Sequence, residues 1–130
     1  MSDGGRIVHM RRFKVMFYTK TDGSQPVIEF LEGLDEKMRA KVARDIDLLA
    51  DKGIQLREPH SKYLQDGIFE LRTKVSSDIS RVLYFFVVGY KIVLTNGFIK
   101  KTRRTPPSEI ERARQYRIDY FRRKEQEEHD

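Results

Sequence analysis

The chain contains no cysteine, which removes disulfides and thiolate metal sites from consideration and makes a reducing cytoplasm the expected compartment. Histidine is scarce as well. His9, His60 and His129 are scattered and lack the close spacing of metal ligands, so no metal and no other cofactor is expected. Long hydrophobic runs are also missing. The longest, Val82 to Val88, is far shorter than the roughly 20 residues that span a bilayer. It reads as a strand, and no membrane association is expected. Residues Met1 to Arg12 hold no apolar stretch of signal-peptide length. Residues 1–11 are expected to be a disordered leader, with Met1 or Met10 as the functional start.

What the chain does have is length for one core and an excess of positive charge. At 130 residues it fits a single domain, expected over residues 12–121, with a charged, frayed tail at 122–130. Lys and Arg number 26 against 20 Asp and Glu, a net charge of +6 that favours polyanionic partners. Its placement is uneven: from Lys91 to Arg117 there are eight basic residues and two acidic ones, so this segment carries an excess equal to that of the whole chain.

Hydrophobic periodicity divides the domain into elements. Arg12 to Thr19 alternates Phe13, Val15 and Phe17 with Arg12, Lys14 and Met16, the period of a half-buried strand. Pro26 then opens a short amphipathic helix through Val27, Phe30, Leu31 and Leu34. Asp35 is placed to cap a second helix striped by Met38, Val42, Ile46 and Leu49 and ending at Gly53. Gln55 to Gly67 lacks periodicity and reads as a loop closed by the Asp66-Gly67 turn. Ile68 to Val75, Ile79 to Val88 and Lys91 to Lys101 follow as three hairpin strands. Ser108 with Glu111 matches a capping box that opens a last helix through Ile110, Ala113, Ile118 and Phe121. The expectation is an α+β domain with an antiparallel sheet, an N-terminal helical hairpin and a C-terminal helix, in the order β-α-α-β-β-β-α, with the helices segregated on one face.

Three fragments occur in a telling order: Phe69-Glu70-Leu71-Arg72 after Asp66-Gly67; Arg81-Val82-Leu83-Tyr84-Phe85-Phe86; and Gly97-Phe98-Ile99-Lys100-Lys101-Thr102, which leads into Thr105-Pro106 and Glu109-Ile110-Glu111-Arg112-Ala113. Together, over roughly Phe13 to Tyr120, they resemble the HigB-type, phage-related branch of the RelE/ParE toxins. That resemblance implies a RelE-like microbial RNase fold and ribosome-dependent cleavage of mRNA. It also implies a cognate, HigA-like antitoxin carrying a helix-turn-helix. HigB-type chains often carry Gln or Lys where this chain has Arg103 and Arg104, a change that preserves charge. The RelE branch proper uses a late tyrosine beside its basic cluster; Tyr116 and Tyr120 fall in the last helix, where packing is the alternative reading.

Cleavage of RNA by its own 2′-hydroxyl needs a proton acceptor, positive charge on the phosphate and a donor for the leaving oxygen. Alternation in the Ile68–Val75 strand puts Glu70, Arg72 and Lys74 on one face; Phe98 and Lys100 share a face in the last strand. If those faces coincide, a basic surface with an aromatic rim results. Arg72 leads as the phosphate-binding group, because guanidinium holds two phosphate oxygens in fixed geometry; a surface ion pair with Glu70 is its plain alternative. Lys100, Lys101 and Lys62 complete the candidate catalytic set, each alternatively a solvated surface charge. Arg81 either orients RNA or the Arg72 side chain, or closes an ion pair within the sheet. Lys74 and Phe98 are candidate RNA contacts, although an aromatic in a strand more often belongs to the core. Arg103 and Arg104 suit ribosomal RNA. His60 is the candidate base by residue type alone. Alternatives from other classes are a ParE-like toxin that binds DNA gyrase without cutting RNA, and an inactive prophage remnant that still binds RNA or an antitoxin. The antitoxin is expected to meet the basic surface with an acidic segment and to touch Phe30 or Phe121.

Overall fold

The computed structural model describes residues 13–100 and 104–129. The elements run β1 (Lys14–Phe17), α1 (Pro26–Glu32), α2 (Glu36–Lys52), a short 3-10 turn (Gly53–Gln55), β2 (Ser61–Gln65), β3 (Ile68–Val75), β4 (Asp78–Val87), β5 (Lys91–Ile99) and α3 (Pro107–His129). The expected α+β order therefore holds with one strand added, β2, inside the segment read as a loop. Its residues are too polar to alternate visibly. Asp66 and Gly67 both adopt positive φ, 51° and 77°, as the two central residues of a tight hairpin turn of the I′ kind require, and this turn folds Ser61–Gln65 back onto β3.

Pro26 begins α1 where its missing N–H costs nothing, and the Asp35 carboxylate accepts a hydrogen bond from the Met38 amide at 2.8 Å to start α2. The charged stretch after Phe121, expected to fray, continues α3 as far as His129. Arg123 pairs with Asp119 one turn back at 2.9 Å and also donates to the Thr19 carbonyl, tying the tail to the chain after β1. The expected leader, residues 1–11, lies outside the described residues.

The strands form one sheet in the order β1-β5-β4-β3-β2. β2 to β5 make the antiparallel meander, but β1 joins β5 in parallel, so the sheet is mixed. The helices also divide between its faces. α1 and α2 bury Val27, Leu34, Met38, Val42, Ile46 and Leu49 against Leu71, Val82, Tyr84, Ile92 and Leu94. On the opposite face Ala113 of α3, with Tyr116 and Tyr120, covers Ile68, Leu83, Phe85 and Val93. The reason is β4: its apolar run from Val82 to Val87 has no wet side and needs cover above and below. Each fully buried aliphatic or aromatic side chain contributes roughly 1.5–3 kcal/mol, so two such layers account for most of the drive to fold.

One irregularity decides where β5 points. Leu83 lies opposite Asn96 and Tyr84 opposite Leu94, leaving Thr95 as an extra residue in a β-bulge. Before the bulge Ile92 and Leu94 face α1 and α2. After it the alternation is reversed: Asn96 turns to α3, and Gly97 lies so close to the Phe30 ring of α1 that a Cβ there would collide with it. Phe30, expected to meet an antitoxin, is therefore largely occupied by this packing.

Candidate functional site

Directly opposite residues of antiparallel strands share a face, so the register assembles the site row by row. Arg72 pairs with Arg81 and Arg81 with Phe98. The Arg72 amide donates to the His60 carbonyl at 2.8 Å, which extends this row to the residue just before β2. The row on one side contains Lys62, Glu70, Leu83 and Asn96. On the other, Lys74 pairs with Ile79, whose carbonyl accepts from the Lys100 amide at 3.0 Å. Arg72, Lys62, Lys74 and Lys100 thus emerge on one face, the α3 face, beyond the N-terminal end of that helix. Phe98, half-buried, forms an aromatic border.

Beneath this basic surface lies a buried ionic cluster. Glu70 is 1% exposed; its Oε1 is 3.4 Å from Arg72 Nε and its Oε2 is 3.5 Å from Arg81 Nη1. Thr105, in the approach to α3, donates its hydroxyl to Glu70 and accepts from Arg81 Nη1 at 3.3 Å. Arg81 is wholly buried. Loss of water drives its pKa down, Glu70 opposes that shift, and the neighbouring Arg72 charge adds to it. Of the roles considered for Arg81, direct contact with RNA is closed by this burial, and the ion pair within the sheet is what it forms. Arg72 differs because 22% of its side chain reaches solvent.

Arg72, His60 and Lys74 also border a cavity of about 480 Å³ with Lys41 and Asp45 of α2. It opens where β2 ends and the edge of β3 is left uncovered. Lys41 donates to the Lys74 carbonyl at 2.6 Å, and Asp45 is engaged by the Thr73 hydroxyl at 2.6 Å. Sequence reasoning missed Lys41, which reads as one more solvated position on the outer face of a helix. His60 was nominated by residue type alone, and the hairpin brings it beside Arg72. Three cations and an imidazole line this opening with the Asp45 carboxylate.

Arg104 is exposed next to Thr105. Lys101 and Arg103 lie outside the described residues. Tyr116 stacks on Tyr18 with centroids 4.5 Å apart, and Tyr120 meets Phe85 edge-on at 5.6 Å, so both late tyrosines pack under α3 and not beside the basic rows. Several cations of α3 are matched by acids: Arg114 pairs with Asp66 at 3.2 Å and with Glu111, and Arg112 with Glu109 at 3.6 Å. Among the described residues no cluster of three or more His, Asp or Glu is placed to hold a metal ion, and no helix is long and apolar enough to cross a membrane.

Comparison with curated proteins finds no match. A family model described as "Phage derived protein Gp49-like (DUF891)" matches residues 29–118, from α1 through the first half of α3, and includes every described residue of the basic rows. By that match the chain belongs to the Gp49-like, phage-derived family, a member of the HigB/RelE-like toxin group.

Proposed function

We propose that this protein is the toxin of a type II toxin–antitoxin pair and that it is a ribosome-dependent endoribonuclease cutting messenger RNA. The observation that supports the reading is Arg72: a partly exposed guanidinium fixed from below by a buried carboxylate and flanked on the same face by His60, Lys62, Lys74 and Lys100. In the proposed reaction the RNA 2′-oxygen attacks the adjacent phosphorus and the bond to the 5′-oxygen breaks. The products are a 2′,3′-cyclic phosphate and a 5′-hydroxyl, the departing 5′-oxygen taking its proton from solvent water. Arg72 holds two non-bridging oxygens as negative charge builds on them, and Lys100 adds a second cation from the neighbouring rows. His60 takes the proton from the 2′-hydroxyl, because imidazole exchanges protons readily near neutral pH. Lys62 and Lys74 hold the strand on either side, and Phe98 offers a surface for a base. Lys101, Arg103 and Arg104 are the proposed contacts to ribosomal RNA.

The proposed partner besides the ribosome is a helix-turn-helix antitoxin with an acidic segment drawn to this face; Phe121, 39% exposed on α3, is an apolar contact for it. The experiment is induction in growing cells with transcripts mapped on translating ribosomes. The wild-type chain arrests growth and leaves cut messages, whereas Arg72→Ala, folded by circular dichroism, does neither. Intact transcripts with stalled replication would transfer the reading to gyrase binding, and a folded Arg72→Ala variant that remains fully toxic would remove Arg72 from the site.

A further inference from the structure

Asp45 lines the cavity between α2 and β3, and the fold uses only half of its carboxylate. The residue is 8% exposed, and one oxygen, Oδ2, accepts the Thr73 hydroxyl at 2.6 Å. Among the described residues the other oxygen, Oδ1, has no partner, and no cation lies within ion-pairing distance of either. Lys41 stands four residues earlier in α2, the spacing of a helical ion pair, but its ammonium donates to the Lys74 carbonyl instead. A carboxylate taken out of water without a matching cation is costly, so the group that completes Asp45 is expected to enter from the cavity. We propose that this cavity holds the nucleotide on the 5′ side of the cut, and that Asp45 accepts a hydrogen bond from the exocyclic amino group of its base, selecting adenine, cytosine or guanine over uracil. This inference rests on the endoribonuclease reading, in which His60, a lining residue of the same cavity, takes the proton from the ribose that bears this base.

The walls of the cavity carry opposite chemistry. An ionised carboxylate accepts hydrogen bonds and donates none, whereas Lys41, Arg72 and Lys74 bring positive charge and donors. At about 480 Å³ the space falls within the range of small-ligand pockets, roughly 300–1,000 Å³. Two simpler occupants match only one wall. A bare phosphate would meet the cations but be repelled by Asp45, and a polyamine would meet Asp45 but face three like charges. A nucleotide with an amino-bearing base has a donor at one end and an anion at the other. Its amino group suits Oδ1, and its phosphate suits Lys41 and Lys74, both exposed. Uracil places a carbonyl oxygen where cytosine has its amino group, so two acceptors would then oppose each other.

The probes are cytidine 3′-monophosphate and uridine 3′-monophosphate, which share sugar and phosphate and differ at the amino group. Each is titrated into the full chain, and binding is followed through the nitrogen-15 NMR signals of the Asp45 and Thr73 amides. The wild-type protein is expected to bind the cytidine nucleotide roughly 10-fold more tightly, the effect of one hydrogen bond to a charged acceptor. Asp45→Asn keeps an oxygen for the Thr73 hydroxyl and turns an N–H toward the cavity, so the preference is lost. Lys41→Ala weakens both nucleotides severalfold and leaves their ratio unchanged. On translating ribosomes the wild-type chain cuts after A, C or G, and Asp45→Asn adds cuts after U. Equal binding of the two nucleotides by the wild-type protein, or binding of neither, overturns the proposal without any variant having to fold. A folded Asp45→Asn variant that keeps the preference overturns it too, as does binding that moves other amides and not these two. If the wild-type chain cuts no message yet prefers the cytidine nucleotide in this cavity, the endoribonuclease reading fails and the base-selective site stands. If it cuts after all four bases alike, the selection fails and the nuclease reading stands.

Discussion

The two faces of the central sheet use similar strands for opposite purposes. Toward α1 and α2, Leu71, Val82, Tyr84, Ile92 and Leu94 form one continuous apolar layer. Toward α3 the face is split: Leu83, Phe85 and Val93 lie under the helix, while Glu70 and Arg81 are buried beside Thr105 and Arg72 and Phe98 are partly exposed beyond it. The first face is built for stability. On the second, charge is held inside the fold around Glu70, an arrangement that contributes little to stability and is expected where a cation must be aimed at a ligand.

The comparison can be broken most severely at its charged half. Arg81→Ala leaves Glu70 buried with a large part of its compensation gone, and the expected loss is about 3–5 kcal/mol in chemical denaturation, together with cleavage activity. Leu83→Ala, one residue pair away under α3, removes apolar packing from a fully buried site. It is expected to cost about 2–4 kcal/mol, while the folded fraction retains its kcat. A smaller effect is expected at Tyr18, whose hydroxyl donates to Asp119 at 2.6 Å and whose pKa is pushed up to about 12, first by burial and then by that carboxylate. Because the neutral phenol is the form the fold favours, its contribution is complete below pH 10 and is lost as the pH rises toward 12. Tyr18→Phe should therefore be about 1 kcal/mol less stable than wild type at pH 8, a gap that closes above pH 11 in denaturation series. The smallest change in stability is expected for Lys62→Ala, within about 0.5 kcal/mol. Its effect should appear instead as a salt dependence of RNA binding that is shallower by about 0.7 in log–log slope.

Much of this arrangement is readable from residue order. Alternation in Ile68–Val75 separates Glu70, Arg72 and Lys74 from Phe69, Leu71 and Thr73, and the structure places them on those two sides. Asp35 and Pro26 start the helices they were expected to start. β2 is harder to read, because Ser61–Gln65 is an edge strand with polar residues on both sides; the Asp66-Gly67 pair after it was the available signal. The bulge at Thr95 has no mark in composition at all. Without it, simple alternation from Ile92 and Leu94 would send Phe98 and Lys100 toward α1 and α2. Close approach of Gly97 to Phe30 and the hydrogen bonds from Asn96 to Glu109 hold the reversed alternation in place. Lys41 and His60 join Arg72 for a similar reason: the three lie far apart in the chain, and only the ending of β2 opens a cavity between them.

By itself the amino-acid sequence determined the α+β element order apart from β2, the candidate cations and the excess of positive charge, because periodicity, capping and composition act over a few neighbouring residues. Tertiary structure alone decided that α3 takes the face opposite α1 and α2, that Arg81 is buried while Arg72 is open, and that Lys100 joins Arg72 on one surface. Those outcomes depend on strand register, on a one-residue bulge and on which half of a sheet a helix covers. All are set by packing between segments distant in the chain, where no local pattern carries the information.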